Sequence, residues 1–319
     1  MSFALPRSAA VRRAVNRIGR AVGRSPSSRP RLLALLGVAL ALWLVLAAPA
    51  FGNALTPESG GSPNADDIDT LYKLVFAVAT FVFVLVEGLL LYSLIKYRAR
   101  KGAVAAQIRG NTRLEIGWTV GAALILVVLA TVTFVMLGPI RNPPDSGPDG
   151  LQLADGVLVA GGPAKRLPPN GKSLNICVNG QQYVWRYTYA QNCANAPLSS
   201  AFSYEQLVVP TQTTVTLDIN SQDVAHSWWI PKLGGKFDAI PGSTNHTWFK
   251  IPARLAGTTF TGQCAELCGR GHANMIARVR AVTPDRFEAY LQRLRRDIKT
   301  ADGAAQRQRR EVERSLSEG

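Results

Sequence analysis

Three long apolar blocks dominate this sequence of 319 residues, and they constrain its fold more than any other feature. They span residues 32–50, 74–95 and 116–137. The second and third blocks each have the ~20 residues that a helix needs to cross the ~30 Å hydrocarbon layer of a membrane. We therefore predict a transmembrane hairpin with helices over about 70–97 and 114–137.

The first apolar block follows a basic leader. Residues 1–31 contain eight arginines and no acidic residue, and the block ends in small residues around Ala50 and Ala54. A basic region, an apolar region and a cleavage site of small residues are typical of a secretory signal peptide, although this basic region is unusually long. Residues 1–54 are interpreted as a signal peptide cleaved near Ala50 or Ala54, with an uncleaved anchor as the alternative.

The basic residues also predict the orientation of the hairpin. Residues 96–113, between the two spans, add six basic residues, and such flanks mark cytoplasmic segments. The membrane section, residues 55–138, then returns the chain to the outside, so everything after residue 138 is predicted to be extracytoplasmic. The net charge of +15 lies largely in these flanks rather than on a folded face. We therefore expect the lipid bilayer, and no nucleic acid, as a partner.

One acidic residue interrupts the second block. Glu87 lies near mid-span, where insertion scales put the cost of a charge at about 2.5 to 3.5 kcal/mol. We expect Glu87 to face a protein partner or to be protonated, and its position argues for another membrane subunit beside the hairpin.

The chain after the hairpin has the pattern of a β-sandwich or barrel rather than of βαβ units. Its short strand-like segments, each bounded by turn residues, are 174–178, 183–189, 205–209, 213–219, 245–251, 257–262 and 276–282. A helix is then predicted from Asp285 to about Lys299, capped by Thr283 and opened by Pro284. Residues 301–319 are predicted to form a charged, flexible tail.

Two of the four cysteines, Cys177 and Cys193, lie near the two ends of an apparent β-hairpin. In an exported domain they could form a disulfide. Two separate buried thiols are the alternative.

The other two cysteines belong to the motif CAELCGRGHANM at 264–275. It offers two thiolates, an imidazole and a thioether, from Cys264, Cys268, His272 and Met275. Cysteine and methionine sulfur suit Cu(I), and imidazole suits copper in either oxidation state, whereas magnesium and calcium prefer oxygen. A mononuclear blue-copper site uses one cysteine, so the second cysteine allows both thiolates to bridge two metal ions. The motif therefore predicts copper.

A further histidine ligand has to come from elsewhere, and the chain has only three histidines. His226 lies in the sequence DVAHSWWIP, where aromatic neighbours would exclude water. His246 alternates as a strand residue and is interpreted as a surface or packing histidine. His226 is therefore the candidate ligand.

These motifs together resemble those of subunit II of the haem-copper cytochrome c oxidases. The residues that carry the resemblance are CAELCGRGHANM, DVAHSWWIP at 223–231, KFDAIPG at 236–242, GQQYVWRYTY at 180–189 and LEIGWT at 114–119. The resemblance covers roughly residues 70–298. It implies a two-helix transmembrane hairpin followed by an all-β cupredoxin-like sandwich with a C-terminal helix. The copper domain would be residues 139–300. The protein would lie in the bacterial plasma membrane, with this domain on the extracytoplasmic face.

The resemblance also implies a binuclear CuA centre and assigns its ligands. Cys264 and Cys268 would bridge both coppers. His226 and Met275 would complete one copper, and His272 with the backbone carbonyl of Glu266 would complete the other. The side chain of Glu266 would also reach a magnesium ion shared with subunit I, which would hold the haem.

Three more residues receive roles from the resemblance. Glu115 matches the acid at the mouth of a proton path that continues in subunit I. Tyr183 and Trp185 match the aromatic run through which electrons arrive from cytochrome c, but Tyr183 stands where the family usually has tryptophan.

The charge of the domain bears on its electron donor. Residues 141–283 hold twelve basic and eight acidic residues, so the sequence predicts no acidic docking surface for a basic cytochrome. We therefore expect an acidic or neutral donor, or one held in a supercomplex.

Three alternatives use related chemistry. A quinol oxidase subunit II has this scaffold without the copper ligands, all of which are present here. A nitrous oxide reductase would need a second, histidine-rich copper domain. A membrane-anchored copper chaperone could use CxxxC and a histidine, but it would not need the fixed HxxM extension or the tryptophan-rich segment. The absence of a CxxCH motif excludes a fused c-type cytochrome domain.

Overall fold

The computed structural model describes residues 55–99, 102, 104, 107–153, 167–197 and 199–317. The predicted signal peptide or anchor, residues 1–54, lies outside the described residues. Along the described chain, two long helices precede ten strands, and a third long helix follows them. The predicted order of a helical hairpin, an all-β sandwich and a C-terminal helix is confirmed.

The two membrane helices are longer than the apolar blocks that predicted them. Helix α1 spans Pro63–Lys96 and α2 spans Thr112–Arg141, and both are long and apolar enough to cross a membrane. The predicted start of α1 near residue 70 is wrong by seven residues. Pro63 is tolerated in the first turn because its missing N–H has no intrahelical partner there, and Asp66 complements the helix dipole.

Ten short strands form the β domain. Their bounds are Leu174–Gln181 (β1), Val184–Tyr189 (β2), Phe202–Tyr204 (β3), Gln206–Pro210 (β4), Thr214–Ser221 (β5), His226–Trp228 (β6), Phe237–Ala239 (β7), Asn245–Lys250 (β8), Thr259–Gln263 (β9) and Ile276–Val282 (β10). All seven predicted segments are strands. The other three, β3, β6 and β7, have three residues each and are too short to show an alternating pattern.

The strands pair into three sheets. The largest has the order β3-β2-β1-β5-β8, the second has the order β4-β10-β9, and β6 pairs with β7. β1 lies parallel to β5 and β10 lies parallel to β4, so strands distant in sequence meet at the centre of each main sheet. Inward side chains of both sheets, such as Ile176, Leu217 and Val279, are fully buried in one core. Burial of each such side chain contributes about 1.5–3 kcal/mol.

A disulfide joins Cys177 in β1 to Cys193, which follows β2. Their Cα atoms are 5.5 Å apart. Of the two alternatives that the sequence left open for these cysteines, the structure therefore has the bonded pair.

Trp248 in β8 connects both membrane helices to the β domain. Asn64 Nδ2, in the first turn of α1, donates to the Trp248 carbonyl at 2.8 Å, and the Trp248 indole Nε1 donates to the Ile140 carbonyl near the end of α2 at 3.0 Å. The Lys250 amide donates to Ser62 Oγ at 3.0 Å. Ser62 and Asn64 are buried by these contacts. The early start of α1 thus reflects its docking against the domain.

The C-terminal helix, α3, spans Pro284–Ser317. Its first half, which the sequence predicted as a helix, packs Phe287 and Leu291 against the core. The prediction of a flexible tail from residue 301 is wrong, because the helix continues through Ser317. The segment has no proline and is rich in Ala, Arg, Gln and Glu, which are strong helix formers.

Candidate metal centre

Two separate segments bring the predicted copper ligands together. His226 begins β6, and the other ligands lie in the loop between β9 and β10. The loop is closed at its base by a hydrogen bond from the Cys264 amide to the Met275 carbonyl at 2.9 Å. The Ala265 amide donates to the Ser227 carbonyl at 2.8 Å, which holds the loop against β6. This second bond sets the position of His226 relative to the cysteines.

The donor atoms form a compact cluster around the two thiols. Cys264 Sγ and Cys268 Sγ are 3.9 Å apart. Cys264 Sγ lies 3.8 Å from His226 Nδ1 and 3.2 Å from the Glu266 carbonyl oxygen. Cys268 Sγ lies 3.7 Å from His272 Nδ1 and 3.9 Å from Met275 Sδ. Donors bound tetrahedrally at about 2.0–2.3 Å from an ion would lie about 3.3–3.8 Å apart, so this set fits metal ligation.

The cluster is closed on the protein side. His226 and Met275 are fully buried, Cys264 and Cys268 are nearly so, and His272 is half-buried. His226, Cys264 and Cys268 also place their donor atoms within 4.8 Å of one another. Burial, followed by the neighbouring Cys264, raises the pKa of the Cys268 thiol to about 11. Metal binding must therefore displace a proton from Cys268.

Asp223 orients His226, and the sequence analysis missed it. Its Oδ1 lies 2.8 Å from His226 Nε2, leaving Nδ1 directed at the cluster. Burial alone would raise the pKa of Asp223, but hydrogen bonds from His226 and from the amides of Gln182 and Val224 outweigh it and hold the pKa at about 2. A carboxylate on the remote nitrogen is the usual partner of a metal-binding histidine. The available signal was an aspartate three residues before the histidine.

Gly180 supports the other side of His226. A Cβ atom at Gly180 would lie 2.8 Å from His226 Cδ2 and 3.2 Å from Trp185 Cζ3. No side chain larger than hydrogen fits there without moving the imidazole. The sequence analysis did not identify this glycine, because the contact joins residues that are 46 positions apart.

The two aromatic residues predicted for electron uptake lie in different environments. Trp185 is fully buried, and its ring meets the His226 ring edge-on with centroids 5.9 Å apart. Tyr183 is 36% exposed. Its ring lies against the loop of the cluster, where a Cβ on Gly271 would overlap it and a Cβ on Gly269 would lie 2.6 Å from its hydroxyl oxygen. Of these two aromatic residues, only Tyr183 therefore touches both solvent and the ligand loop.

Gln182 is a further residue that the sequence analysis missed. Its side-chain Nε2 donates to the Cys268 carbonyl at 2.7 Å, and its amide donates to Asp223 Oδ2 at 2.7 Å. The turn between β1 and β2 thus contacts both segments that supply ligands.

The remaining predicted residues lie apart from the cluster or at its surface. The Glu115 carboxylate is exposed in the first turn of α2 and accepts from the Asn111 amide at 3.3 Å. The Glu266 side chain is exposed and makes no hydrogen bond within the described residues. His246 pairs instead with Asp218, Nδ1 to Oδ1, at 2.7 Å, in agreement with its interpretation as a packing residue.

Comparison with protein families gives two matches along the chain. Residues 52–136 match the family described as cytochrome c oxidase subunit II, transmembrane domain. Residues 198–282 match cytochrome c oxidase subunit II, periplasmic domain. These two regions contain the membrane hairpin and every candidate copper ligand.

Similar proteins carry the same description. Cytochrome c oxidase subunit 2 of Alkalihalophilus pseudofirmus is 30% identical over 264 residues, covering 81% of this chain and 67% of that protein. The subunit 2 of Thermostichus vulcanus is 32% identical over 268 residues, covering 75% of this chain and 78% of that protein. A crystal structure of the periplasmic domain of subunit II of cytochrome oxidase from Bradyrhizobium japonicum is 30% identical, with a TM-score of 0.34 over 39% of this chain and 95% of that chain.

Proposed function

The chain belongs to the cytochrome c oxidase subunit II family, and we propose that its β domain holds a binuclear CuA centre which receives electrons from a c-type cytochrome. In this proposal the electrons pass on to haem in subunit I, where oxygen is reduced to water and protons are pumped. The chain is then a multi-pass subunit of a bacterial plasma membrane, with the β domain on the extracytoplasmic face.

The donor count around the two thiols is the observation that carries the proposal. Four terminal donors surround Cys264 and Cys268: His226, His272, Met275 and the Glu266 carbonyl. If both thiolates bridge, the six donors supply eight bonds, which complete two four-coordinate ions. No position then remains open for a substrate, whereas catalytic metal sites keep one open. Electron transfer is therefore the function that the set supports best.

Copper held by these residues would supply a one-electron redox couple. The chain's own residues supply the frame. Asp223 fixes the tautomer and direction of His226, Gly180 and Trp185 fill the space behind it, and Gln182 holds the Cys268 carbonyl. A frame that keeps its donors in place lowers the reorganisation that accompanies each electron. We assign His226 and Met275 to one copper, and His272 and the Glu266 carbonyl to the other.

We propose that electrons enter through Tyr183. It combines exposure with direct contact to the ligand loop, at Gly269 and Gly271. Trp185 is fully buried, so a donor protein cannot touch it, and its place against His226 suits it to position that ligand. Tyrosine here takes the place that tryptophan usually has in the family.

Two carboxylates are proposed to act together with subunit I. The exposed Glu266 side chain is proposed to bind magnesium shared with that subunit, next to the copper ligands. Glu115, exposed at the start of α2, is proposed as the mouth of a proton path. The donor cytochrome would be acidic or neutral, or held within a supercomplex, because residues 141–283 hold twelve basic and only eight acidic residues.

A matched pair of histidine variants tests the copper proposal. In the purified oxidase, His226→Asn should abolish the binuclear electron paramagnetic resonance signal and lower the copper content of this subunit. His246→Asn, at a histidine paired with Asp218 away from the cluster, should change neither. One copper per subunit in the parent protein, with a four-line mononuclear signal, would overturn the proposal.

A second pair of variants tests the route of the electron. Tyr183→Leu should slow electron uptake from cytochrome c while leaving the copper spectrum unchanged. Tyr204→Leu is the control, since Tyr204 is also exposed, at 50%, but lies on the edge strand β3. Equal uptake rates in the two variants would exclude Tyr183 as the contact.

A further inference from the structure

A groove lies between α3 and the segment that connects β2 to β3. It has a volume of about 700 Å³, within the range of about 300–1,000 Å³ that is usual for small-molecule sites. Residues 197 and 199–201 line one wall, and the face of α3 over residues 295–306 lines the other. The buried residues Tyr189 and Ala201 form the floor. None of the candidate copper ligands lines this groove, so it is separate from the metal centre.

The lining carries two positive charges that have no partner. Arg295 and Lys299 lie one turn apart on the same face of α3, where like charges repel. Within the described residues neither of them forms an ion pair. Asp302 is the one acidic residue among those that line the groove, and two hydroxyl groups come from Ser199 and Ser200 on the opposite wall. The groove therefore offers a net positive charge and donors from both walls.

Both walls are held in place by the rest of the domain. Asn175 Nδ2 donates to two consecutive carbonyls of the segment between β2 and β3, at 3.0 Å each, and the disulfide fixes the same segment to β1. The Tyr189 amide donates to the Ala201 carbonyl at 2.9 Å. On the other side, the Tyr189 ring packs against Phe287 of α3 with centroids 5.9 Å apart. A ligand would therefore meet a groove that needs little ordering, which favours binding.

The donor types select the class of ligand. A guanidinium group forms two parallel hydrogen bonds to a phosphate or a carboxylate, and an ammonium group adds a second charge. The donors come from two facing walls, and a tetrahedral phosphate can direct its oxygen atoms to both, whereas a carboxylate has only two oxygen atoms in one plane. An inorganic ion would leave the floor at Tyr189 and Ala201 uncovered. The groove thus fits a phosphate that carries an apolar group.

We propose that this groove binds the phosphate group of an apolar phosphate ester. Arg295 and Lys299 bond the phosphate from α3. Ser199 and Ser200 donate to it from the opposite wall, and the apolar group covers the floor. Asp302 opposes a second negative charge and so lowers the affinity for a dianion. A phospholipid headgroup and a soluble phosphate ester share this chemistry. The proposal does not depend on the copper centre.

Calorimetric titration of the whole complex, in a nonionic detergent and a buffer free of phosphate, tests the class of ligand. Phenyl phosphate should bind with a dissociation constant of about 1 mM or below. Benzoate, which carries the same ring on a carboxylate, should bind at least roughly tenfold more weakly. Benzoate binding as tight as that of phenyl phosphate, or no saturable binding of phenyl phosphate, would overturn the proposal.

Variants on α3 test the residues. The double variant Arg295→Gln with Lys299→Gln should weaken binding of phenyl phosphate by at least roughly tenfold. Arg296→Gln, at a neighbouring position of α3 that does not line the groove, should leave the affinity unchanged. Asp302→Asn should increase the affinity by roughly threefold, because it removes a like charge. Equal affinities of the double variant and the parent would overturn the proposal. All four side chains are exposed, and thermal unfolding of each variant checks that it is folded.

Native mass spectrometry distinguishes the two sources of the phosphate. If the native ligand is a phospholipid, the double variant should lose one bound phospholipid that the parent complex and Arg296→Gln retain. If the native ligand is soluble, the three proteins should carry the same phospholipids while only the double variant loses phenyl phosphate binding. Unchanged phospholipids together with unchanged phenyl phosphate binding would exclude the groove as a phosphate site.

Discussion

The β domain and the membrane hairpin place the same apolar residue types in opposite environments. In the β domain Leu174, Ile176 and Val215 are fully buried, whereas Leu94 in α1 and Phe134 in α2 are 70% and 81% exposed. Helix α2 has no buried residue at all among those described. The domain therefore excludes water with its own core, while the hairpin leaves its apolar side chains uncovered by the rest of the described chain. The candidate metal centre lies wholly in the part of the chain that has its own core.

Separate expression of the two regions tests most directly whether the β domain folds and binds copper without the hairpin. We expect residues 139–300, expressed without the hairpin, to remain monomeric without detergent and to bind copper with the same spectrum as the full chain. Residues 55–141 should require detergent to stay in solution. Size-exclusion chromatography and copper analysis of both fragments check this. A β fragment that aggregates or binds no copper would mean that the hairpin contributes to the core of the domain.

Removal of the disulfide should weaken only the β domain. The double variant Cys177→Ser with Cys193→Ser opens a crosslink between residues 16 apart, which should lower the free energy of unfolding by about 3 kcal/mol. The copper spectrum should persist, because neither cysteine contacts a ligand. Denaturant unfolding of the soluble domain gives the energy. An unchanged unfolding free energy, or loss of the copper spectrum in the folded protein, would contradict this expectation.

Within the β domain, two glycines differ in how much space surrounds them. Gly180→Ala places a methyl group against His226 and should cost about 1–3 kcal/mol of stability and lower the affinity for copper. Gly235→Ala is the matched control, because its new methyl group would meet only Phe237, at an ordinary 3.9 Å. Copper titration of both variants, with thermal unfolding, measures the difference. Equal affinities would show that His226 adapts to the added methyl group.

The junction of the two regions should show the smallest effect. Trp248→Phe removes the indole hydrogen bond to the Ile140 carbonyl, worth about 1 kcal/mol. In the full chain, amide hydrogen exchange near residues 138–146 should accelerate by roughly fivefold while exchange around Met275 stays unchanged. Trp229→Phe, whose ring contacts Lys236 instead, is the control. Faster exchange around Met275 in Trp248→Phe would show that the junction also stabilises the centre.

Features that depend on nearby residues could be predicted from the sequence. The apolar blocks predicted the hairpin, and the spacing from Cys264 to Met275 predicted four ligands, because each pattern is contained in a short segment. His226 required elimination among three histidines together with the family resemblance. The predicted strands were found because each is a short segment bounded by turn residues.

Features that depend on long-range contacts could not be predicted. Gly180, near the end of β1, and Gln182, in the turn that follows, support the centre through contacts with residues more than 40 positions away. The first turn of α1 was not predicted as helix, because its burial depends on Trp248. The second half of α3 buries no side chain, so no apolar pattern distinguished it from a flexible tail.

The place of β10 in the sheet has a consequence for how the protein is made. It is the last strand of the chain, yet it lies in the middle of its sheet, between β4 and β9. If the domain is exported N-terminus first, as the proposed localisation requires, Cys264 and Cys268 reach the extracytoplasmic side before the strand that completes their loop. Until then the Cys264 amide lacks its bond to Met275, and both thiols can react with Cys177, Cys193 or each other. The proposed copper centre can therefore form only if both thiols stay reduced until β10 has paired and Met275 is in place.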